Sequence, residues 1–272
     1  MKNLADKVVV ITGAGSGIGR ALAHKCAARG ARVALSDVNE KSLQETVADL
    51  PPEQVFTQTL DVADRAAFEA HAAAVIEHYG QADVIINNAG VAVSQTVDDL
   101  SYEDFEWIMG INFWGVVYGT KAFLPELRKR PEAAVINISS VFGIIAVPTQ
   151  GAYNATKFAV RGFTEALRLE SEGTGLHVMC VHPGGIRTNI AKAARWYKDP
   201  TGEASHKTAA QQFEKLARTT PEQAAEKILK DLARKSPRCL IGTDAQAIDL
   251  IQRSMPERYG KLINKLLGLG KK

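Results

Sequence analysis

The chain has 272 residues, 33 Lys+Arg against 30 Asp+Glu, and is 46% hydrophobic and 23% charged. That composition carries enough apolar surface for a sizeable core, which excludes a chain disordered over most of its length. A formal net charge of +3 argues against a dedicated nucleic-acid binder, since phosphate attraction needs a basic excess.

The charge is uneven along the chain. Residues 1–188 hold 16 basic and 21 acidic residues; residues 189–272 hold 17 and 9. The three cysteines, Cys26, Cys180 and Cys239, are widely spaced and form no CxxC pair. That argues against a disulfide framework or a zinc site, and fits a reducing, cytoplasmic compartment. The first residues do not read as a signal peptide, because Val8–Ile11 is too short an apolar run.

Short β-branched runs alternate with helix-period segments. Strands are predicted at Val8–Thr12, Arg32–Ser36, Gln54–Leu60, Val84–Asn87, Ala134–Ser139, Val178–His182 and Cys239–Ile241. Helical patterns lie near 17–29, 40–49, 64–79, 103–129, 153–171, 222–235, 244–253 and 257–267. Runs such as VVVIT and DVIIN are apolar on both faces, as parallel strands covered on both sides are. The expected fold is therefore α/β, a doubly wound Rossmann-type parallel sheet of about seven strands. No repeat or linker divides the chain, so residues 1–272 read as a single domain. Residues 191–220 break the rhythm and look like a long loop or two short helices. Residues 189–220 are expected to form a substrate lid, and 221–272 a C-terminal extension.

The first strand runs into Thr12-Gly13-Ala14-Gly15-Ser16-Gly17-Ile18-Gly19. A glycine-rich loop opening a helix can seat a pyrophosphate on backbone N–H groups and the positive helix end. The spacing is not G-x-G-x-x-G, since Ile18 stands where the third glycine would fall; alone, the loop would be a tight turn. Asp37 ends the second strand, eighteen residues after Gly19, where a carboxylate can accept from ribose hydroxyls and repel a 2′-phosphate. NAD is then preferred over NADP. The plainer alternative is a helix cap.

Residues 133–156 carry no charge but include Asn137, Ser139, Ser140, Gln150 and Asn154, so they read as a site lining and not as a membrane span. Just beyond them, Tyr153 and Lys157 are four apart on a predicted helix and share a face. An ammonium beside a phenol lowers the phenol's pKa and makes tyrosine a general acid/base. Ser140, at a strand end, can donate to a carbonyl oxygen that gains charge during reduction. His71 and His78 lack acidic partners at ligand spacing, so no metal is expected and a solvated face is the reading.

With these residues in place the sequence resembles the short-chain dehydrogenase/reductase family, in its short single-domain branch. The resemblance spans residues 12–188: the glycine motif on Thr12, Gly13, Gly17 and Gly19, then Asp61-Val62, Asn87-Asn88-Ala89-Gly90, Asn112, Ser140, Tyr153 with Lys157, and Pro183-Gly184 with Thr188. It implies Tyr153 as acid/base, Ser140 positioning the substrate oxygen, Lys157 holding the nicotinamide ribose, and Asn112 anchoring a relay water. It also implies that Gly15, Ser16 and Ile18 belong to the phosphate loop and that Asp61 and Val62 form the adenine pocket. Asn88, Ala89 and Gly90 would line the adenosine ribose; Pro183, Gly184, Ile186 and Thr188 would meet the nicotinamide. The reaction would be hydride transfer between NAD and a secondary alcohol or ketone. A catalytically silent NAD-binding regulator is the alternative, and a lyase or epimerase a more distant one.

The apolar run 141–147, with Ile190, Trp196 and Tyr197, suggests a hydrophobic substrate. A homodimer or homotetramer is expected, because the helices of Asn112 and Tyr153 form interfaces in relatives. His182 is expected to find a backbone partner or else touch the cofactor. The basic amphipathic segment 259–267 is expected to pack on the protein rather than lie on an acidic membrane surface.

Overall fold

The structure, a computed structural model, describes residues 1–198 and 217–266. Strands β1 (Val8–Thr12), β4 (Val84–Asn87) and β6 (Ala133–Ile138) are buried at every residue, as their unbroken apolar runs require. With β2 (Arg32–Asp37), β3 (Val55–Thr59), β7 (Leu176–Pro183) and β9 (Arg238–Ile241) they form one seven-stranded sheet, ordered β3-β2-β1-β4-β6-β7-β9 and parallel throughout. The chain moves outward from β1 to β3, then crosses back to place β4 on the other side of β1. That reversal opens a crevice at the carboxyl ends of β1 and β4, the place where doubly wound sheets bind ligands.

Helices cover both faces. On one, α1 (Gly17–Ala27) and α7 (Pro221–Ala233) bury Leu22, Ile228 and Leu232 against β1 and β7. On the other, α3 (Arg65–Tyr79) and α5 (Gly115–Leu127) bury Phe68, Phe123 and Leu127. α2 (Glu40–Val47) starts at Asn39, whose side chain caps Ser42, and α3 at Asp64, which caps Ala67. α6 (Gly151–Glu170) carries Tyr153 and Lys157. β9 pairs with β7, so the C-terminal extension completes the main sheet and shares its core.

Three expectations change. The single helix near 103–129 is two helices, α4 (Tyr102–Met109) and α5, joined by a π-turn over Gly110–Trp114. Tight packing accounts for the small residue there: a Cβ on Gly115 would lie 2.8 Å from the Val62 side chain. Second, β5 (Val93–Ser94) pairs with β8 (Arg195–Trp196), a two-stranded ribbon outside the main sheet. Strands this short, whose pairing spans a hundred residues, leave no periodic signal. Third, His71 is a core histidine: it is fully buried, its Nδ1 lies 2.9 Å from Gln58 Oε1, and burial pushes it down to about 4. Only His78 is exposed.

The last two helices are α8 (Thr243–Ser254) and α9 (Tyr259–Leu266). Tyr259 packs beside Ile144 and Ile145, and its hydroxyl accepts from Ala146 N–H at 3.3 Å. Residues 199–216 of the expected lid and 267–272 of the extension lie outside the described residues.

Candidate active site

Two loops meet at the crevice. Thr12 Oγ1 accepts from Asn88 N–H at 3.0 Å and Ala89 N–H at 3.1 Å; Asn88 Nδ2 donates back to the Thr12 and Gly13 carbonyls at 2.9 and 3.1 Å. The loop after β1 is thereby stitched to the loop after β4. Close approach explains its glycines: a Cβ on Gly19 would lie 2.1 Å from the Gly13 carbonyl oxygen, and one on Gly13, at φ +65°, 2.8 Å from Ala89 Cα. Gly17 faces Thr188, whose Cγ2 lies 3.1 Å from the place a Cβ would take, so the loop after β7 reaches the same crevice.

α1 begins with an exposed, extended Ser16 that makes no side-chain cap, and its first turn has no carboxylate. Such a helix end suits an anion, which is what a dinucleotide's pyrophosphate requires. Asp37 stands at the tip of β2. Its Oδ2 accepts from Gly15 N–H at 2.8 Å and its Oδ1 from Asn39 N–H at 2.9 Å. Asp61 is exposed and caps Ala63 N–H, whereas Val62 is buried beneath Gly115. Ile18 and Ile186 both pack into the core on the α1 side. Pro183 ends β7, followed by Gly184, where a Cβ would fall 2.2 Å from Asp244 Oδ2.

Ser140, Tyr153, Lys157 and Asn112 come together at the carboxyl ends of β4 and β6. Ser140 Oγ accepts from Phe142 N–H at 3.1 Å, and Ser140 lies close enough to the Tyr153 hydroxyl to oppose its upward shift. Lys157 is buried; its Nζ donates to the Ile138 carbonyl at 3.0 Å and stands 5.5 Å from the centre of the Tyr153 ring. A Cβ on Gly90 would come within 3.5 Å of that Nζ. Asn112 lies in the π-turn. Its Oδ1 accepts from Val91 N–H at 2.8 Å, and its Nδ2 donates to the Val91 carbonyl at 2.9 Å and to Thr156 Oγ1 at 3.2 Å.

The titration of this cluster differs from the expectation for Tyr153. Burial pushes its hydroxyl up to about 12, with Ser140 opposing. Burial also pushes Lys157 down to about 8. Lys157 spends a hydrogen bond on Ile138, and its charge does not offset the desolvation of the phenol.

Several supporting residues carried no sequence signal. Arg20 donates to the Gly15 carbonyl at 2.5 Å, the Ser42 carbonyl at 3.1 Å and Thr46 Oγ1 at 2.9 Å, tying the glycine loop to α2. Arg195 pairs with Asp104 at 2.7 Å and stacks 3.6 Å over the Trp107 ring. Lys198 pairs with Asp99. The described beginning of the expected lid is thus clasped to α4. The run 141–147 is largely spent on packing, since Ile144 and Ile145 are core. Phe142 instead meets Tyr153 edge-on, with ring centres 6.0 Å apart.

Residues 7–198 match the family model for short chain dehydrogenase. The chain belongs to the short-chain dehydrogenase family. It is an oxidoreductase of that family, and its sequence is 47% identical over 268 residues to SadH of Mycobacterium tuberculosis, covering 97% of this chain and 96% of that protein. A dehydrogenase/reductase SDR family protein 7-like of Drosophila melanogaster is 34% identical, over 90% of this chain and 74% of its own. A short-chain dehydrogenase/reductase of Burkholderia phymatum, solved with NAD, superposes with a TM-score of 0.87 at 29% identity, over 94% of this chain and 96% of the other. Other solved structures that resemble this one, a serine dehydrogenase and a 3-ketoacyl-(acyl-carrier-protein) reductase, hold NADP+ and NADH. Among the described residues no group of His, Cys, Asp and Glu could hold a metal, and no helix is long and apolar enough to cross a membrane.

Proposed function

We propose that the protein transfers a hydride between NAD and a hydrophobic secondary alcohol or ketone, with Tyr153 as general acid/base. One observation carries this reading: Ser140 acts on the Tyr153 hydroxyl, and the Lys157 Nζ stands 5.5 Å from the Tyr153 ring, next to a glycine-lined helix N-terminus. When bound, a nicotinamide supplies the hydride donor or acceptor. The chain's own residues supply the rest. Ser140 and Tyr153 donate hydrogen bonds to the substrate oxygen, stabilising charge that builds there. A Tyr153 hydroxyl held near 12 is protonated at neutral pH, which is the state needed to deliver a proton to a reduced ketone. Lys157 and the Asn88–Gly90 loop flank the ribose position, Asn112 holds a relay water, and Pro183, Gly184, Ile186 and Thr188 flank the nicotinamide position.

Asp37 supports a preference for NAD. Its carboxylate lies beside the Gly15 amide, where a ribose diol would gain an acceptor and a 2′-phosphate would meet a like charge. Phe142, Val91 and Trp107 around Tyr153 support a hydrophobic substrate. Exposed Trp114 and Phe158 on the helices of the site support a homodimer or homotetramer. Residues 189–220 act as the substrate lid, of which the described part includes β8. The test mixes purified protein with NAD and a panel of secondary alcohols, reading NADH absorbance. Turnover on the panel, abolished in Tyr153→Phe with NADH affinity kept, is the expected result. Cofactor binding without turnover on any substrate would favour the silent regulator.

A further inference from the structure

The β6–β7 ladder pairs Ala133 with Leu176 through Ile138 with Val181, and then Ser139 N–H donates to the Val181 carbonyl at 2.8 Å. In a parallel ladder the next donor toward β6 would come from residue 183. That residue is Pro183, which has no N–H. The strand that delivers Ser140 would therefore lose its cross-strand hold one residue before the hydroxyl that matters. A side chain supplies it instead. His182 is fully buried, and its Nδ1 lies 3.0 Å from the Ser140 carbonyl oxygen. A carbonyl only accepts, so Nδ1 carries the hydrogen. Nε2 is buried with no partner among the described residues, as suits a lone pair in a neutral ring. The charged groups near the ring are Arg161 and Glu165 on α6 and Arg238 on β9; burial outweighs them and pushes the imidazole down to about 4.

We propose that His182 is a positioning residue whose Nδ1–H holds the Ser140 carbonyl and so sets the Ser140 hydroxyl against that of Tyr153. This rests on the catalytic reading of Ser140 and Tyr153 above. Ser140 backbone is extended, and among the described residues its Oγ accepts from Phe142 N–H alone. Rotation of the Ser140 peptide would move the hydroxyl away from the substrate oxygen while leaving the cofactor crevice between β1 and β4 untouched.

The test has two arms. In wild-type protein labelled with nitrogen-15 histidine, NMR at pH 7 should report His182 as the neutral Nδ1–H tautomer. An Nε2–H tautomer or an imidazolium overturns the proposal whether or not any variant folds. In the second arm, His182→Asn keeps an amide donor at the Nδ1 position, and His182→Leu keeps a similar shape without it. The Leu variant should lose about tenfold in kcat with the KM for NAD unchanged, the size of one hydrogen bond. The Asn variant should stay within about twofold of wild type. Equal kcat in the two variants, with wild type active, overturns the role of His182 alone. A wild type that binds NADH but turns over no alcohol or ketone overturns the reaction itself, and this role with it.

Discussion

Replacing Lys157 by methionine should make the protein more stable at neutral pH and inactive. The ammonium is 3% exposed and has one hydrogen-bond acceptor in the protein, the Ile138 carbonyl. Burial takes its pKa from 10.5 to about 8. That depression corresponds to about 3 kcal/mol charged against the folded state at pH 7, where Lys157 is protonated both folded and unfolded. Methionine removes this cost and leaves Ile138 without a donor, a loss of about 1–2 kcal/mol. The net gain at pH 7 is then about 1–2 kcal/mol, or about 2–6 °C in melting temperature for a chain of this size. The pH dependence is the sharper signature. Between pH 8 and 10.5 the unfolded chain binds more protons at Lys157 than the folded one, so wild-type stability rises with pH through that window. From pH 7.5 to 9.5 wild type should gain about 2 kcal/mol relative to Lys157→Met. Urea unfolding followed by tryptophan fluorescence, at equal protein concentration, measures the gap. A gap that stays constant over that range, or a variant less stable than wild type at pH 7, refutes the reasoning.

Other outcomes follow from neighbouring contacts. Asp37→Ala should weaken NAD binding about tenfold, as expected for lost hydrogen bonds to a charged group, and narrow the NAD/NADP ratio measured by titration; an unchanged ratio refutes the ribose role. Gly19→Ala places a methyl 2.1 Å from the Gly13 carbonyl oxygen, so it should cost about 3 kcal/mol in chemical denaturation and impair NADH binding. Wild-type behaviour would show that the loop is not packed as described. Arg195→Ala breaks the pair with Asp104 and the stack on Trp107, so proteolysis within 189–198 should accelerate and substrate KM rise several-fold, roughly the effect of about 1 kcal/mol; unchanged cleavage refutes the clasp. Trp114→Glu should dissociate the oligomer in sedimentation, raising its dissociation constant about a hundredfold or more; a monomeric wild type overturns the interface.

Much of the site was legible because its chemistry is local in sequence. The glycine loop lies within eight residues between a strand and a helix, and Tyr153 and Lys157 are one helical turn apart. The unbroken apolar strands alternating with helices were enough to expect the parallel sheet and its order of layers. What could not be read was pairing over distance. His71 and His78 look alike in sequence, yet one is core and the other exposed, because only the packed helix decides which face is inward. Within the run 141–147, Ile144 and Ile145 are core, packed with Leu240, Ile248 and Tyr259 from the far end of the chain.

The sequence by itself determined the family and the sheet, and pointed to the reacting groups proposed above, since those depend on periodicity and on residues held close by short loops. Only the tertiary structure decided how the groups titrate and what holds them. Burial, which no motif records, sets Tyr153 near 12 and Lys157 near 8. The split in charge seen at the outset also gains a physical meaning. The acidic portion carries the crevice. The basic portion supplies β9 to its sheet, Arg195 to Asp104, Asp244 to the Gly185 amide and Tyr259 to the wall beside Ser140. These contacts join residues 58 to 113 positions apart, and only folding brings them within reach of one another.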